Sequence, residues 1–190
     1  MLQIYGGGGH GRVIAEAYLL NNPAVTIEFY DDRQSHGKNT SFLKQNIPVI
    51  IGIGNNNTRK EIVASLDMDH IFINVCHPFT SISETIEMGY GNFIAAGCCI
   101  NNDSVVGNHN ILNTRASIDH EVNIGSYNHI APGSIICGDV KICDNVFLGA
   151  GSVVLPGIKI VSNVIVGAGS VVTKDLTKPG VYVGSPARLI

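Results

Sequence analysis

Counting in sixes from Ile94 meets only Ile, Val and Leu: Ile94, Ile100, Val106, Leu112, Ile118, Ile124, Ile130, Ile136, Ile142, Leu148, Val154, Ile160, Val166 and Val172. A run of fourteen such positions is an internal repeat. Its period fits neither a helix nor an alternating strand. The fifth residue of each hexad is mostly small or aliphatic, from Cys98 and Ser104 to Ser170 and Leu176. The fourth is Gly, Asn or Asp in ten of the fourteen hexads, the residues that accept a positive φ at a tight corner. The pattern predicts a coil of short strands with a corner every six residues. The first position points inward and the small fifth position fits the corner. Such a solenoid buries its interior only by stacking, so register matters more than any one residue. No insertion interrupts residues 94–177.

Composition agrees with an aliphatic solenoid. Apolar residues make up 45% of the 190, aromatics only 6%, and Trp is absent. Charged residues are 14%, against about 25% in an average domain. A net charge of −3 argues against nonspecific nucleic-acid binding and a polybasic membrane anchor. No apolar run approaches the roughly 18 residues of a membrane helix. The start, Met1-Leu-Gln-Ile-Tyr5, runs into glycines without a basic leader. The five cysteines are odd in number and match no C-x-x-C spacing. They are expected as reduced thiols in a cytoplasmic protein, with no disulfide framework and no metal.

The corner rule fails only at His109, Arg115, Glu121 and Tyr127, in four consecutive hexads. Local rules tend to break at functional sites. The same stretch holds three of the seven histidines: His109, His120 and His129. Asn110 and Asn128 break the small-residue rule at the fifth position, eighteen residues apart, and are expected to stack as an Asn ladder.

The first 76 residues read as a small Rossmann-like α/β unit. Strand residues 2–5 lead into Gly6-Gly-Gly-Gly-His-Gly11 and then a helix. Gly6, Gly8 and Gly11 match G-x-G-x-x-G in the strand-to-helix context that the motif needs. Backbone amides at the helix start favour a phosphate. A second strand over 25–30 ends in Asp31-Asp32, where an acid can meet a ribose. A third strand follows over 49–54, then a helix capped by Asn55 to Thr58, then a fourth strand over 70–75. Residues 77–190 are allotted to the β-helix and its tail.

Several motifs together resemble one family. They are Tyr5-Gly-Gly-Gly-Gly-His-Gly11, Asp31-Asp32, Ile53-Gly-Asn55 with Arg59, Ile111-Leu-Asn-Thr114, Asp119-His-Glu121 and Val183-Gly-Ser-Pro-Ala-Arg188. The whole chain resembles sugar O-acyltransferases of the sialic acid acetyltransferase type, closest to the bacterial nucleotide-4-aminosugar N-acetyltransferases. The resemblance implies a left-handed β-helix with three hexads per coil, and a homotrimer with active sites between subunits. It implies acetyl transfer from acetyl-CoA to the 4-amino group of a nucleotide-linked sugar. Under it His120 is the base and Glu121 orients its ring, with Asp119 as a stand-in. His129 and Asn113 belong to the acetyl end, with the Gly138 amide aimed at the thioester oxygen. Gly167 and Ala168 would meet the pantetheine arm of CoA, with Lys174, Lys178 or Arg188 near its phosphates. Gly7, Gly8, Gly9, His10, Asp31, Asp32 and Asn55 would meet the nucleotide sugar.

Other readings stay open at this point. A noncatalytic nucleotide-sugar-binding scaffold is one. Sugar O-acetylation is another. A zinc site on His109, His120 and His129 is a third, although the three occupy different hexad positions.

Overall fold

The computed structural model describes residues 1–31, 43–66 and 69–190; Asp32 and His36 lie outside the described residues. Strand β1 (Leu2–Tyr5) lies between β2 (Ile27–Tyr30) and β3 (Val49–Ile51) in a parallel sheet. Every residue of β1 and β3 is buried, as expected of strands covered on both faces. Helix α1 (Gly9–Asn21) follows the glycine loop, and α2 (Asn56–Ala64) follows β3. A side chain at Gly11 would run into the Gly6 carbonyl, so only glycine lets α1 start this close to β1.

Residues 70–75 do not form the expected fourth strand. Phe72 makes a single bridge to Val49, and Val75–Cys76 pairs instead with Phe93–Ile94. The side chains explain the change. Val75 packs with Leu2, Ile4 and Ile14, whereas Cys76 packs on the solenoid interior. The pair therefore already has the two environments of a solenoid rung.

From Val75 the chain winds through three faces of short parallel strands. Face I stacks Val75–Cys76, Phe93–Ile94, Ile111–Leu112, His129–Ile130, Phe147–Leu148 and Val164–Val166. Face II holds six strands, from Ser81–Ile82 to Val171–Val172, and face III five, from Glu87–Met88 to Lys159–Ile160. Partners sit one coil apart, Ser117 under Ile135 and Asn123 under Lys141. All fourteen first positions are at most 2% exposed, so the period of six is the interior of the fold. The repeat starts earlier than Ile94. Cys76, Ile82 and Met88 continue the count of six and pack against the same core. Their mixed chemistry hides them from a search for Ile, Val and Leu.

Every fourth position from Gly91 to Gly169 takes a positive φ. The four exceptions obey: His109, Arg115, Glu121 and Tyr127 have φ of 54°, 58°, 60° and 60°. Each accepts the roughly 1–2 kcal/mol that a side chain costs there. The Asn ladder is present and longer than expected. Oδ1 of Asn74, Asn92, Asn110 and Asn128 accepts the N–H of Asn92, Asn110, Asn128 and Val146 in turn, at 2.7–2.9 Å.

The two units share a core. Leu2, Ile4 and Ile14 bury against Val75, Phe93 and Ile111, the outward residues of the lower rungs of face I. The α/β unit thus caps one face of the solenoid. Among the described residues no helix is long and apolar enough to cross a membrane. All five cysteines are free.

Candidate active site

The chemistry-bearing residues fall into two groups on different faces. The first sits at the corner that follows the face II strand Ser117–Ile118. His120 Nδ1 lies 2.9 Å from Glu121 Oε2, so the ring donates from Nδ1 and keeps a lone pair on Nε2. Both side chains are more than half exposed. Below them Asp119 Oδ1 accepts from the His120 backbone N–H (2.9 Å) and from Asn101 Nδ2 (3.0 Å). Those two bonds, Asn101's first, hold the Asp119 carboxyl below its usual range. One coil above, Gly138 sits against the His120 ring. A side chain there would be 2.7 Å from its Cε1 and 2.8 Å from its Nε2. Among the described residues the Gly138 N–H has no hydrogen-bond partner. A ring lone pair beside an unused backbone N–H can remove a proton and stabilise an oxyanion.

The second group lies on face I against the α/β unit. Here the structure brings together His10 and His129, which sequence reading assigned to different substrates. Their ring centroids are 6.2 Å apart, and His10 also meets Phe93 edge-on. His129 Nδ1 is 3.0 Å from the Gly54 carbonyl and its Nε2 is 3.1 Å from Asn113 Nδ2. Burial is the main reason that both rings have their pKa lowered to about 4, so both are neutral near pH 7. The Arg59 cation adds to the effect on each. A cavity of about 630 Å³ opens beside His129, lined by Asn55, Asn57, Asn145, Phe147 and Ile165 among others.

Arg59 holds this group in place, a role that sequence gave no means to see. It is 1% exposed, and among the described residues no carboxylate pairs with it. Nε donates to the His109 carbonyl, Nη1 to the Ile53 and Gly54 carbonyls, and Nη2 to Asn56 Oδ1 and the Asn128 carbonyl. Five N–H groups meet five acceptors on the β3–α2 loop, α2 and two coils. Asn56 adds a bond to the Val146 carbonyl.

The remaining expected residues are placed as follows. Asp31 Oδ2 accepts from the Gly7 N–H at 3.0 Å, so it closes the glycine loop rather than standing apart from it. Gly8 and Gly9 face open space. The first N–H groups of α1 have no helical partners, as at any helix start. Asn55 caps α2 by accepting from Thr58 N–H. The Gly167 N–H is committed to the Tyr182 carbonyl, whereas the Ala168 N–H has no partner among the described residues. His109 and Tyr127 are not in either group. They stack on each other beside Phe72 and Tyr90, under α2. Arg115 lines a shallow recess with Phe79 and Pro132. His109, His120 and His129 do not converge, and among the described residues no three His, Cys, Asp or Glu are placed to hold a metal.

Known proteins resemble both units of the chain. Residues 1–66 match the PglD N-terminal domain, and residues 139–174 match the bacterial transferase hexapeptide (six repeats). No curated protein sequence matches the chain. Among solved structures, PerB from Caulobacter crescentus, in complex with CoA and GDP-perosamine, is 31% identical with a TM-score of 0.90. That match covers 100% of this chain and 96% of that one. The acetyltransferase domain of PglB from Neisseria gonorrhoeae, in complex with acetyl coenzyme A, is 26% identical with a TM-score of 0.92, covering 100% and 98%. WeeI from Acinetobacter baumannii is 26% identical with a TM-score of 0.90, covering 100% and 99%. With the same α/β cap, the same left-handed β-helix and full-length similarity, the chain belongs to the hexapeptide-repeat family of acetyl-CoA-dependent sugar N-acetyltransferases.

Proposed function

We propose that the protein transfers acetyl from acetyl-CoA to the 4-amino group of a nucleotide-linked deoxysugar. The observation that carries this reading is the His120–Glu121 pair packed over the Gly138 amide. The neutral amine attacks the thioester carbonyl carbon. His120 Nε2 takes the proton that the nitrogen sheds, and Glu121 stabilises the resulting imidazolium. The Gly138 N–H receives the oxyanion. Collapse forms the amide, breaks the C–S bond and releases CoA thiolate, which recovers the proton. Direct attack fits the site, because among the described residues the His120 ring is bonded to Glu121 and to no Ser or Cys.

The division near residue 76 separates two tasks. The α/β unit takes the nucleotide sugar through Gly7 to His10, Asp31 and Asn55, and Asp32 is assigned there by sequence alone. The β-helix performs the transfer, with Gly167 and Ala168 beside the pantetheine arm. Fullest use of the site needs a homotrimer. His120 and His129 point from different faces of one chain, so one subunit's corner must meet the next subunit's face I. Face II supports this: its outward row of Ser81, Cys99, Ser117, Ile135, Val153 and Val171 carries no charge, whereas face III presents Lys141 and Lys159. Five free thiols suit a reducing cytoplasm.

The test is mass spectrometry of products from acetyl-CoA with matched UDP-, dTDP- and GDP-linked 4-amino sugars. Amide formation on one of them is expected, with intersecting rather than parallel lines in two-substrate kinetics. Acetylation of free sialic acid with none of the amino-sugar nucleotides turned over would favour the O-acetyltransferase reading.

A further inference from the structure

Arg115 stands alone on its edge of the solenoid. Its corner lies between the face I strand Ile111–Leu112 and the face II strand Ser117–Ile118. The matching corners in the other coils are Gly97, Gly133, Gly151 and Gly169. Arg115 takes the same positive φ, 58°, and accepts its cost. Its Cγ lies 3.0 Å from where a side chain at Gly97 would begin. Among the described residues its guanidinium has no hydrogen-bond or ion-pair partner. It lines a recess of about 500 Å³ with Thr114, Pro132 and Phe79, and the Phe79 ring is 76% exposed.

The opposite edge of face II is acidic. Asp103, Glu121 and Asp139 stand one coil apart at its corners, with Asp119 beside them. Among the described residues no cation pairs with the three aspartates, and Glu121 pairs only with His120. Glu121 Oε2 takes the His120 ring, and its Oε1 has no partner among the described residues. The two edges flank the uncharged row of face II. A closed trimer that turns this face to its axis sets the Arg115 edge of one subunit against the acidic edge of the next. Rotation about the axis leaves each residue's height unchanged. Coils of eighteen residues lie about 4.8 Å apart, so the one hexad from Arg115 to Glu121 rises only about 1.6 Å. The two side chains therefore meet at nearly one level.

We propose that Arg115 donates across the subunit boundary to Oε1 of the partner's Glu121, and so acts as a positioning residue for the base. The proposal rests on the trimeric acetyl-transfer reading above. In a lone subunit the Glu121 side chain is more than half exposed and can turn away from the ring. A guanidinium on Oε1 keeps Oε2 on Nδ1 and the Nε2 lone pair toward the cleft. No bond forms or breaks at Arg115, and no proton passes through it. The base is complete only in the assembly.

The experiment is complementation in mixed trimers. Arg115→Gln alone should lower kcat about tenfold with KM little changed. Arg115→Gln and His120→Ala subunits, each with its own tag, are co-expressed and purified through both tags. Every mixed trimer then has one boundary where an intact Arg115 meets an intact His120, so about a third of wild-type kcat is expected. Activity no higher than that of the Arg115→Gln trimer overturns the proposal, because it places both residues in one chain's site. A second arm needs no turnover. Arg115→Cys/Glu121→Cys protein treated with a short bis-maleimide should run as covalent dimers and trimers on a denaturing gel, beyond what either single variant gives. Single chains only would overturn the contact. Wild-type protein that acetylates no amino-sugar nucleotide but cross-links in this way counts against the functional reading and not against the contact.

Discussion

Two histidines nine positions apart in this chain occupy opposite environments. His120 stands at an open corner, beside a carboxylate, with one nitrogen unspent. His129 lies in a largely closed cleft with both nitrogens spent, its pKa lowered to about 4. The same side chain is thus left with an unspent lone pair in one place and with both ring nitrogens committed in the other. A general base needs the first arrangement, and the second fixes a ring in place. The solenoid produces the difference by placement alone: a corner residue projects outward, and a face I residue is covered by the α/β cap.

The comparison breaks if His120→Ala keeps its turnover. Loss of a general base should cut kcat by roughly 10²–10⁴, with KM little changed. The melting temperature should stay near wild type, because an exposed corner side chain supports no core. For the covered cleft the effect falls on stability instead. Arg59→Leu leaves five acceptors unpaired and should cost about 3–5 kcal/mol in urea unfolding. A wild-type midpoint would show that the rivet is not structural.

Much of the fold was open to sequence reading, because a stacked interior demands one kind of residue at every sixth place. What escaped was whatever needs two distant segments at once. The first coil was missed because Cys76 and Met88 interrupt the aliphatic run. The expected fourth strand became a solenoid rung because Val75 and Cys76 serve different cores. The His120–Glu121 corner was legible as adjacent residues. The approach of His10 to His129 was not, since 119 positions separate them in the chain. Arg59 was visible in a motif, but its partners on His109 and Asn128 exist only once the cap is docked. The broken corner rule led to Glu121, which bonds the His120 ring, while His109 and Tyr127 break it to fill an aromatic cluster under α2.

The contrast sharpens with pH. His10, His109 and His129 all have pKa values lowered to about 4 from 6.5, chiefly by burial. Between those values the unfolded chain binds protons that the folded chain refuses. Stability is therefore fully present above about pH 6.5 and falls as the pH drops toward 4. Urea midpoints measured from pH 7.5 to 4.5 should decline through that window. A flat profile would mean that the cleft histidines take up protons without cost.

The smallest expected effect separates Asp119 from the base itself. Asn101→Ala removes one of the two bonds that hold the Asp119 carboxylate beneath His120. A loss of about 1 kcal/mol in transition-state stabilisation, roughly fivefold in kcat, is expected. Unchanged kcat would show that Glu121 alone orients the ring.

The Arg59 clasp also decides how substrates can enter. Its donors tie the loop after β3, the start of α2 and two adjacent coils into one body, and the shared cluster of Leu2, Ile14, Phe93 and Ile111 seals the same seam. Among the described residues that seam is packed and bonded along its length. The shape that meets the sugar is therefore expected to stand ready like a fixed mould, rather than to form by closure of the cap on the solenoid.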